Sequence, residues 1–263
     1  MIAIDGVLVN VTIFPDGTSQ VWKLDQRILD YVNDTNTENI VVDWIFTSEN
    51  EVFHIVQLLD LLDTLNKDKD VYLNMPFLPY GRQDKDVSNS STFALRSFLR
   101  LLSFTGAKIL TFDPHSEDLL EEFFGESGYG IVRPDQAIKE AAFCFSAELL
   151  CFPDTGAKTR YADFSSRPFT CLEKIRDQET GIIYGIRVSD GYDVNEIMGK
   201  KVLIVDDICD GGKTFIEAAK VLYEHGAISV GLYTSHGIYS KGLEILRMAG
   251  IKALYNKDGV VYE

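Results

Sequence analysis

Two rhythms of apolar and polar positions alternate along the chain. Short apolar runs read as strands: residues 7–14 (VLVNVTIF), 39–46 (NIVVDWIF), 71–77 (VYLNMPF), 108–112 (KILTF), 147–153 (AELLCFP), 169–174 (FTCLEK), 181–188 (GIIYGIRV), 202–205 (VLIV) and 228–236 (ISVGLYTSH). Between them lie stretches whose apolar residues recur every three or four positions, predicting helices over 51–65, 91–104, 137–143, 156–164 and 214–226. Ser91 or Thr92 is available to cap the second of these, and Gly226 to end the last. The β and α runs form two series with a break near 125–130, predicting an α/β protein of two domains, residues 1–128 and 129–263. Each is expected to be a mostly parallel sheet flanked by helices. Ligands of such sheets gather where the strands end.

Composition narrows the function classes. The 263 residues are 46% hydrophobic and 25% charged, an ordinary globular balance. A net charge of −15 argues against nucleic acid and anionic membrane as partners. The start, MIAIDGVLVN, lacks the basic head and long apolar core of a signal peptide, and no apolar run is long enough for a bilayer. The four cysteines show no C-x-x-C spacing. They read as buried free thiols, and the expected compartment is the cytoplasm.

Residues 202–215, VLIVDDICDGGKTF, carry the densest chemistry. An apolar strand is expected to stop at the adjacent acids Asp206 and Asp207. Asp210, Gly211, Gly212, Lys213 and Thr214 then lead into a helix. Paired glycines let backbone amides converge, the helix start adds partial positive charge, and Thr214 and Lys213 add a hydroxyl and an ammonium. These are the parts of a phosphomonoester site, without the G-x-x-x-x-G-K order of a P-loop. The acids would repel that phosphate and instead suit a vicinal diol or a magnesium ion. A diol beside a phosphate describes a ribose 5-phosphate.

This stretch resembles the phosphoribosyl-diphosphate signature of type I phosphoribosyltransferase-fold proteins, which leaves transferase and diphosphokinase chemistry open. Other segments resemble ribose-phosphate diphosphokinases. NMPFLPYGRQDKD (74–86) is similar to M-P-Y-x-x-Y-x-R-Q-D-R/K, and the resemblance implies that Arg82 and Gln83 bind ATP. TFDPHSEDLLEEFF (111–124) resembles D-L-H-x-x-x-x-x-G-F-F, which implies a magnesium–ATP role for His115, with Pro114 and Glu122 as departures. CFPDTGAKTRYADF (151–164) is similar to P-D-x-G-x-x-x-R-A, making Asp154 the second magnesium-associated residue, with Ala157 in place of a glycine. CLEKIR (171–176) resembles D-K-R-R at the head of a catalytic loop, which gives Lys174 and Arg176 catalytic roles, with Glu173 in place of Asp. FPDGT (14–18) resembles F-x-D-G-E, from which Phe14 and Asp16 would reach the ATP of a neighbouring subunit. YTSHGIYSKG (233–242) looks like T-H-x-x-x-S-G, with His236 structural rather than catalytic.

The resemblance runs from about Phe14 to the C-terminus. Against the family pattern, the first strand and helix are expected to be missing ahead of FPDGT, and KDVSNSSTFALRSF (85–98) stands where relatives carry a basic allosteric segment. The implied activity is transfer of the β,γ-diphosphate of Mg2+–ATP to the 1-hydroxyl of ribose 5-phosphate, in two phosphoribosyltransferase-like domains. The first would bind ATP and the second ribose 5-phosphate. A cytoplasmic homo-oligomer, at least a dimer, is expected. Alternatives are the same transfer to a larger acceptor such as ADP-ribose, a phosphoribosyltransferase, and a non-catalytic regulatory homologue.

Overall fold

Strand runs and helix runs assemble into two α/β units, Met1–Val132 and Arg133–Glu263, in a computed structural model. It describes residues 1–85, 90–176 and 183–263, with the backbone alone at 176, 183 and 184.

In chain order the first unit contains β1 (Ile2–Ile4), β2 (Val7–Leu8), β3 (Thr12–Ile13), β4 (Ser19–Gln20), α1 (Gln26–Asn33), β5 (Asn39–Trp44), α2 (Asn50–Leu65), β6 (Asp70–Met75), α3 (Ala94–Ser103), β7 (Lys108–Phe112), α4 (Asp118–Phe124) and β8 (Tyr129–Val132). Its sheet runs β2-β1-β5-β6-β7-β8, parallel from β5 to β8, with β1 antiparallel to both of its neighbours. Ile40, Val42 and Trp44 alternate into the core, and α2 covers them with Ile55, Leu58, Leu59 and Leu62.

Four expectations are corrected. The strand over 7–14 is split, because Asp5 (φ 47°) and Gly6 (φ 70°) form a two-residue left-handed turn that folds β1 back on β2. Only Thr12–Ile13 continues, as one arm of the separate β3–β4 hairpin. The domain boundary falls after Val132 rather than residue 128, since Tyr129–Val132 pairs with β7 and so belongs to the first sheet. α3 begins after Phe93 without a side-chain cap, so neither Ser91 nor Thr92 serves as one. Residues 118–124 form a helix where no element was expected.

The second unit contains α5 (Asp135–Cys144), β9 (Leu149–Phe152), α6 (Thr155–Tyr161), β10 (Phe169–Arg176), β11 (Ile183–Val188), β12 (Lys201–Cys209), α7 (Lys213–Glu224), β13 (Ser229–Gly237), α8 (Glu244–Met248), β14 (Ile251–Asn256) and β15 (Gly259–Tyr262). The strand order is β11-β10-β9-β12-β13-β14-β15. The five inner strands are parallel, and both edge strands are antiparallel to their neighbours. β12 lies at the centre and is buried on both faces. Val202 and Ile204 pack with Phe215, Ala218 and Leu222 of α7, while Leu203 and Val205 pack with α5 and α6. Two-sided burial explains the unbroken apolar run. The cysteines are free; Cys151, Cys171 and Cys209 are buried, whereas Cys144 is exposed, contrary to expectation. No helix among the described residues is long and apolar enough to cross a membrane.

Two stability outcomes follow. Burial pushes the Glu51 carboxyl up, but the amine of Met1, the Trp44 indole and the Thr47 amide and hydroxyl together hold it down to about 2, against a usual 4.5. A depressed carboxylate adds stability above its unfolded value and loses it as pH falls. The wild-type urea midpoint should therefore decline between about pH 4.5 and 2 more steeply than that of Glu51→Gln. Equal slopes would show that this network contributes nothing. At Gly212 (φ 74°) an added Cβ would lie 2.9 Å from Leu246 Cδ2, whereas at Gly211 it would meet only the Lys241 chain at 3.6 Å. Gly212→Ala should lose about 1–3 kcal/mol in chemical denaturation. Gly211→Ala should stay within about 0.5 kcal/mol of wild type.

Candidate functional site

In the second sheet the chain moves outward one way from β9 to β10, then the other way from β12 to β13. The adjacent carboxyl ends of β9 and β12 thus form a topological switch point, where open α/β sheets bind ligands. Asp154 follows β9 by one residue and caps α6, its Oδ1 accepting from the Ala157 amide at 3.1 Å. Its Oδ2 accepts from Lys174 Nζ at 2.9 Å. Burial pushes the Asp154 carboxyl up, yet the Lys174 ammonium and the Ala157 and Gly156 amides hold it below the usual range.

Lys174 belongs to β10, the strand beside β9, so the expected loop head is strand up to Arg176. β10 pairs with β9 only over Phe169–Cys171. From Leu172 onward its partner is β11, and Lys174 sits opposite Ile186 on a two-stranded ribbon. Arg176 ends the strand; its side chain lies outside the described residues.

β12 does not stop at the acids. It continues to Cys209 in register with β13, pairing Asp206 with Thr234 and Ile208 with His236. The run was cut short in sequence because acids are poor strand formers, but here the ladder to β13 carries them. Asp207 is buried and its Oδ2 accepts from Arg160 Nη1 of α6 at 3.1 Å. Its amide donates to Asp206 Oδ1 at 3.0 Å. Burial, then the neighbouring Asp207 charge, raises the Asp206 carboxyl well above its ordinary value. Adjacent acids are therefore held apart electrically, one salt-bridged and the other driven towards its neutral form.

Beyond Cys209 come exposed Asp210, then Gly211 and left-handed Gly212, which opens α7 without a side-chain cap. Lys213 and Thr214 form its first turn. A glycine-led helix start leaves backbone amides uncapped, a feature able to receive an anion, with strand-end acids as its polar neighbour. Leu246 and Ile245 fill the space beside Gly212. Lys241, a cation that the sequence reading missed, lies along Gly211. His236 is buried within β13.

The first unit brings a second set together. β6 and β7 are adjacent and parallel, and their ends lead into the loops that hold Arg82, Gln83 and His115. The loops meet at Gly81, where an added Cβ would stand 3.8 Å from His115 Cβ. Arg82, Gln83 and His115 are all exposed. The approach is shaped by left-handed Tyr80 (φ 63°), whose hydroxyl donates to Glu49 at 3.2 Å, and by buried left-handed Asp113 (φ 42°). Such backbone strain is typical of sites rather than of plain connections.

Phe14 and Asp16 sit apart from that sheet, on the β3–β4 hairpin. α2 clamps it: His54 Nε2 meets Ser19 Oγ at 2.6 Å, and Gln57 both accepts from the Val21 amide and donates to the Ser19 carbonyl. Phe14 packs edge-on against Trp22 and lines a cleft of about 480 Å³ with Phe53, Gln57 and Leu61. Asp16 accepts from the Thr18 hydroxyl at 2.7 Å and amide at 2.9 Å, contacts that lower its pKa in that order.

Among the described residues no three His, Cys, Asp or Glu side chains gather to cage a metal ion. Magnesium shared with nucleotide phosphates needs only one or two protein carboxylates. Asp154, which presents hard oxygens at the end of β9, suits that donor set.

Residues 167–251 match the family model for the phosphoribosyl transferase domain. The ribose-phosphate pyrophosphokinase of Sulfurisphaera tokodaii is 30% identical over 255 residues, spanning 94% of this chain and 83% of its own. That of Pyrococcus abyssi is 31% identical over 245 residues, spanning 90% and 79%. The crystal structure of phosphoribosylpyrophosphate synthetase from Mycobacterium smegmatis shares the fold, with a TM-score of 0.70 at 20% identity over 94% of this chain and 78% of that one. With two such relatives aligned along most of its length, the chain belongs to the ribose-phosphate pyrophosphokinase family.

Proposed function

We propose that the chain transfers the β,γ-diphosphate of ATP to the anomeric 1-hydroxyl of ribose 5-phosphate, giving phosphoribosyl diphosphate and AMP. The observation that carries this reading is the gathering at one switch point of an acid pair, a glycine-led amide nest and the Asp154–Lys174 pair. The sugar's vicinal hydroxyls fall to Asp206 and Asp207, and its phosphate to residues Asp210, Gly211, Gly212, Lys213 and Thr214. Arg82 and Gln83 hold ATP, together with His115.

The acceptor oxygen forms its bond to the β-phosphorus as the bridge to the α-phosphorus breaks. That bridge's electron pair leaves with AMP, and the hydroxyl proton passes to solvent. Charge spreads over the transferring phosphoryl oxygens, where preorganised cations are most effective. Lys174 and Arg176 supply them. Magnesium, supported by His115 and Asp154, would neutralise charge on the ATP phosphates. We also read the chain as cytoplasmic and as a homo-oligomer in which Phe14 and Asp16 serve a neighbouring copy's ATP.

The decisive measurement is AMP release from magnesium and ATP with each acceptor in turn. Release with ribose 5-phosphate is expected. Release with ADP-ribose alone would move the acceptor to that larger molecule. Silence with every acceptor would favour a non-catalytic homologue, and turnover of a free base with phosphoribosyl diphosphate a transferase. Lys174→Ala should lower kcat by roughly 100-fold or more while ATP affinity changes little. Parallel loss of both would remove its transition-state role. Light scattering at micromolar concentration should give a mass of at least twice 29.6 kDa. A monomer would end the neighbouring-copy role of Phe14.

A further inference from the structure

We propose that Arg160 is a positioning residue of the acceptor site: its guanidinium fixes the Asp207 carboxylate so that the acid pair meets the sugar hydroxyls. This rests on the reading of Asp206 and Asp207 as the hydroxyl-binding pair.

Successive strand residues point to opposite faces. Val202 and Ile204 face α7, whereas Leu203 and Val205 face α5 and α6. Regular alternation would send Asp206 and Asp207 towards different layers, yet their carboxyls lie close enough to interact. Asp207 falls on the α6 face, which is apolar below it. The Asp207 side chain is only 8% exposed, and a carboxylate so placed needs a partner.

Arg160 supplies that partner from α6 at 3.1 Å, with its own side chain 24% exposed. Its guanidinium also lies 5.2 Å from the ring of Tyr161, which is itself buried. Stacking on a fixed ring restricts the fork before any ligand arrives. The start of the same short helix is capped by Asp154, which holds Lys174. One helix therefore joins two ion pairs, and the charges around the strand ends alternate: Lys174, Asp154, Arg160, Asp207. Arg160 acts through Asp207 on the acceptor.

Calorimetric titration with ribose 5-phosphate, alongside AMP-release kinetics, tests this on wild type, Arg160→Met, Arg160→Lys, Asp207→Asn and the Met/Asn double variant. Arg160→Met should weaken ribose 5-phosphate binding and raise its KM by roughly 30-fold or more. The KM for ATP should stay within about two-fold. Arg160→Lys keeps the charge without the fork and should recover part of the loss. The double variant should lose no more than the worse single, because the pair acts as a unit. Unchanged binding in a folded Arg160→Met overturns the proposal, as do equal losses for ATP and acceptor, or additive losses in the double variant. If Arg160→Met does not fold, Arg160→Lys decides: an intermediate, acceptor-only loss supports the role, and wild-type binding overturns it. Wild type that binds ribose 5-phosphate without releasing AMP overturns the reaction reading alone, since the binding comparison still stands. Wild type that does not bind it overturns both.

Discussion

Burial of β12 on both faces is the constraint from which the rest of the second unit follows. A central parallel strand has no solvent face, so its side chains must be apolar until the backbone leaves the layered core. Val202, Leu203, Ile204 and Val205 meet that demand, and each is fully covered. Polar chemistry is then confined to the strand's carboxyl end. The acids, the glycine turn and the start of α7 follow one another there because the layers allow them nowhere earlier.

That confinement creates a charge problem in a chain that already carries −15. Three acids, Asp154, Asp206 and Asp207, come together at the ends of two neighbouring strands, and Asp154 adds to the forces raising the Asp206 carboxyl. The fold answers with cations drawn from different elements: Lys174 from the adjoining strand and Arg160 from the crossover helix. Neither has to travel far, since α6 lies on the crossover from β9 to β10. Positive charge is thereby placed beside the strand-end acids rather than spread across the molecule.

What could be read from sequence follows the same physics. The strands at 39–44, 108–112, 149–152 and 202–205 were legible because a buried layer leaves no choice of residue. β1 was not, and β2 was read only as part of a longer strand, since their pairing depends on the Asp5–Gly6 turn rather than on a long apolar run. α8, β14 and β15 were missed because elements of four to six residues carry too little periodicity. In the site, the residue types at Asp154, Lys174, Asp206 and Asp207 were legible from their motifs, but their partners were not. Asp154 and Lys174 are 20 residues apart, and Arg160 and Asp207 are 47 apart. Only the strand order brings them side by side. Arg160 was in view within PDTGAKTR, yet nothing local distinguishes it from a solvated helix arginine.

The way β10 outgrows its neighbour has a mechanical consequence. Past Cys171 it loses β9 and pairs with β11 alone, so Lys174 sits on a two-stranded ribbon rather than within the layered sheet. A pair of strands without a third has little stiffness of its own. What steadies the lysine is the grip of Asp154 from the neighbouring helix cap, so the ribbon is tethered at its middle by charge and at its base by the ladder. Breaking that tether would free the lysine side chain beyond the ribbon's base, where Leu172 and Val188 stay buried against the α7 layer.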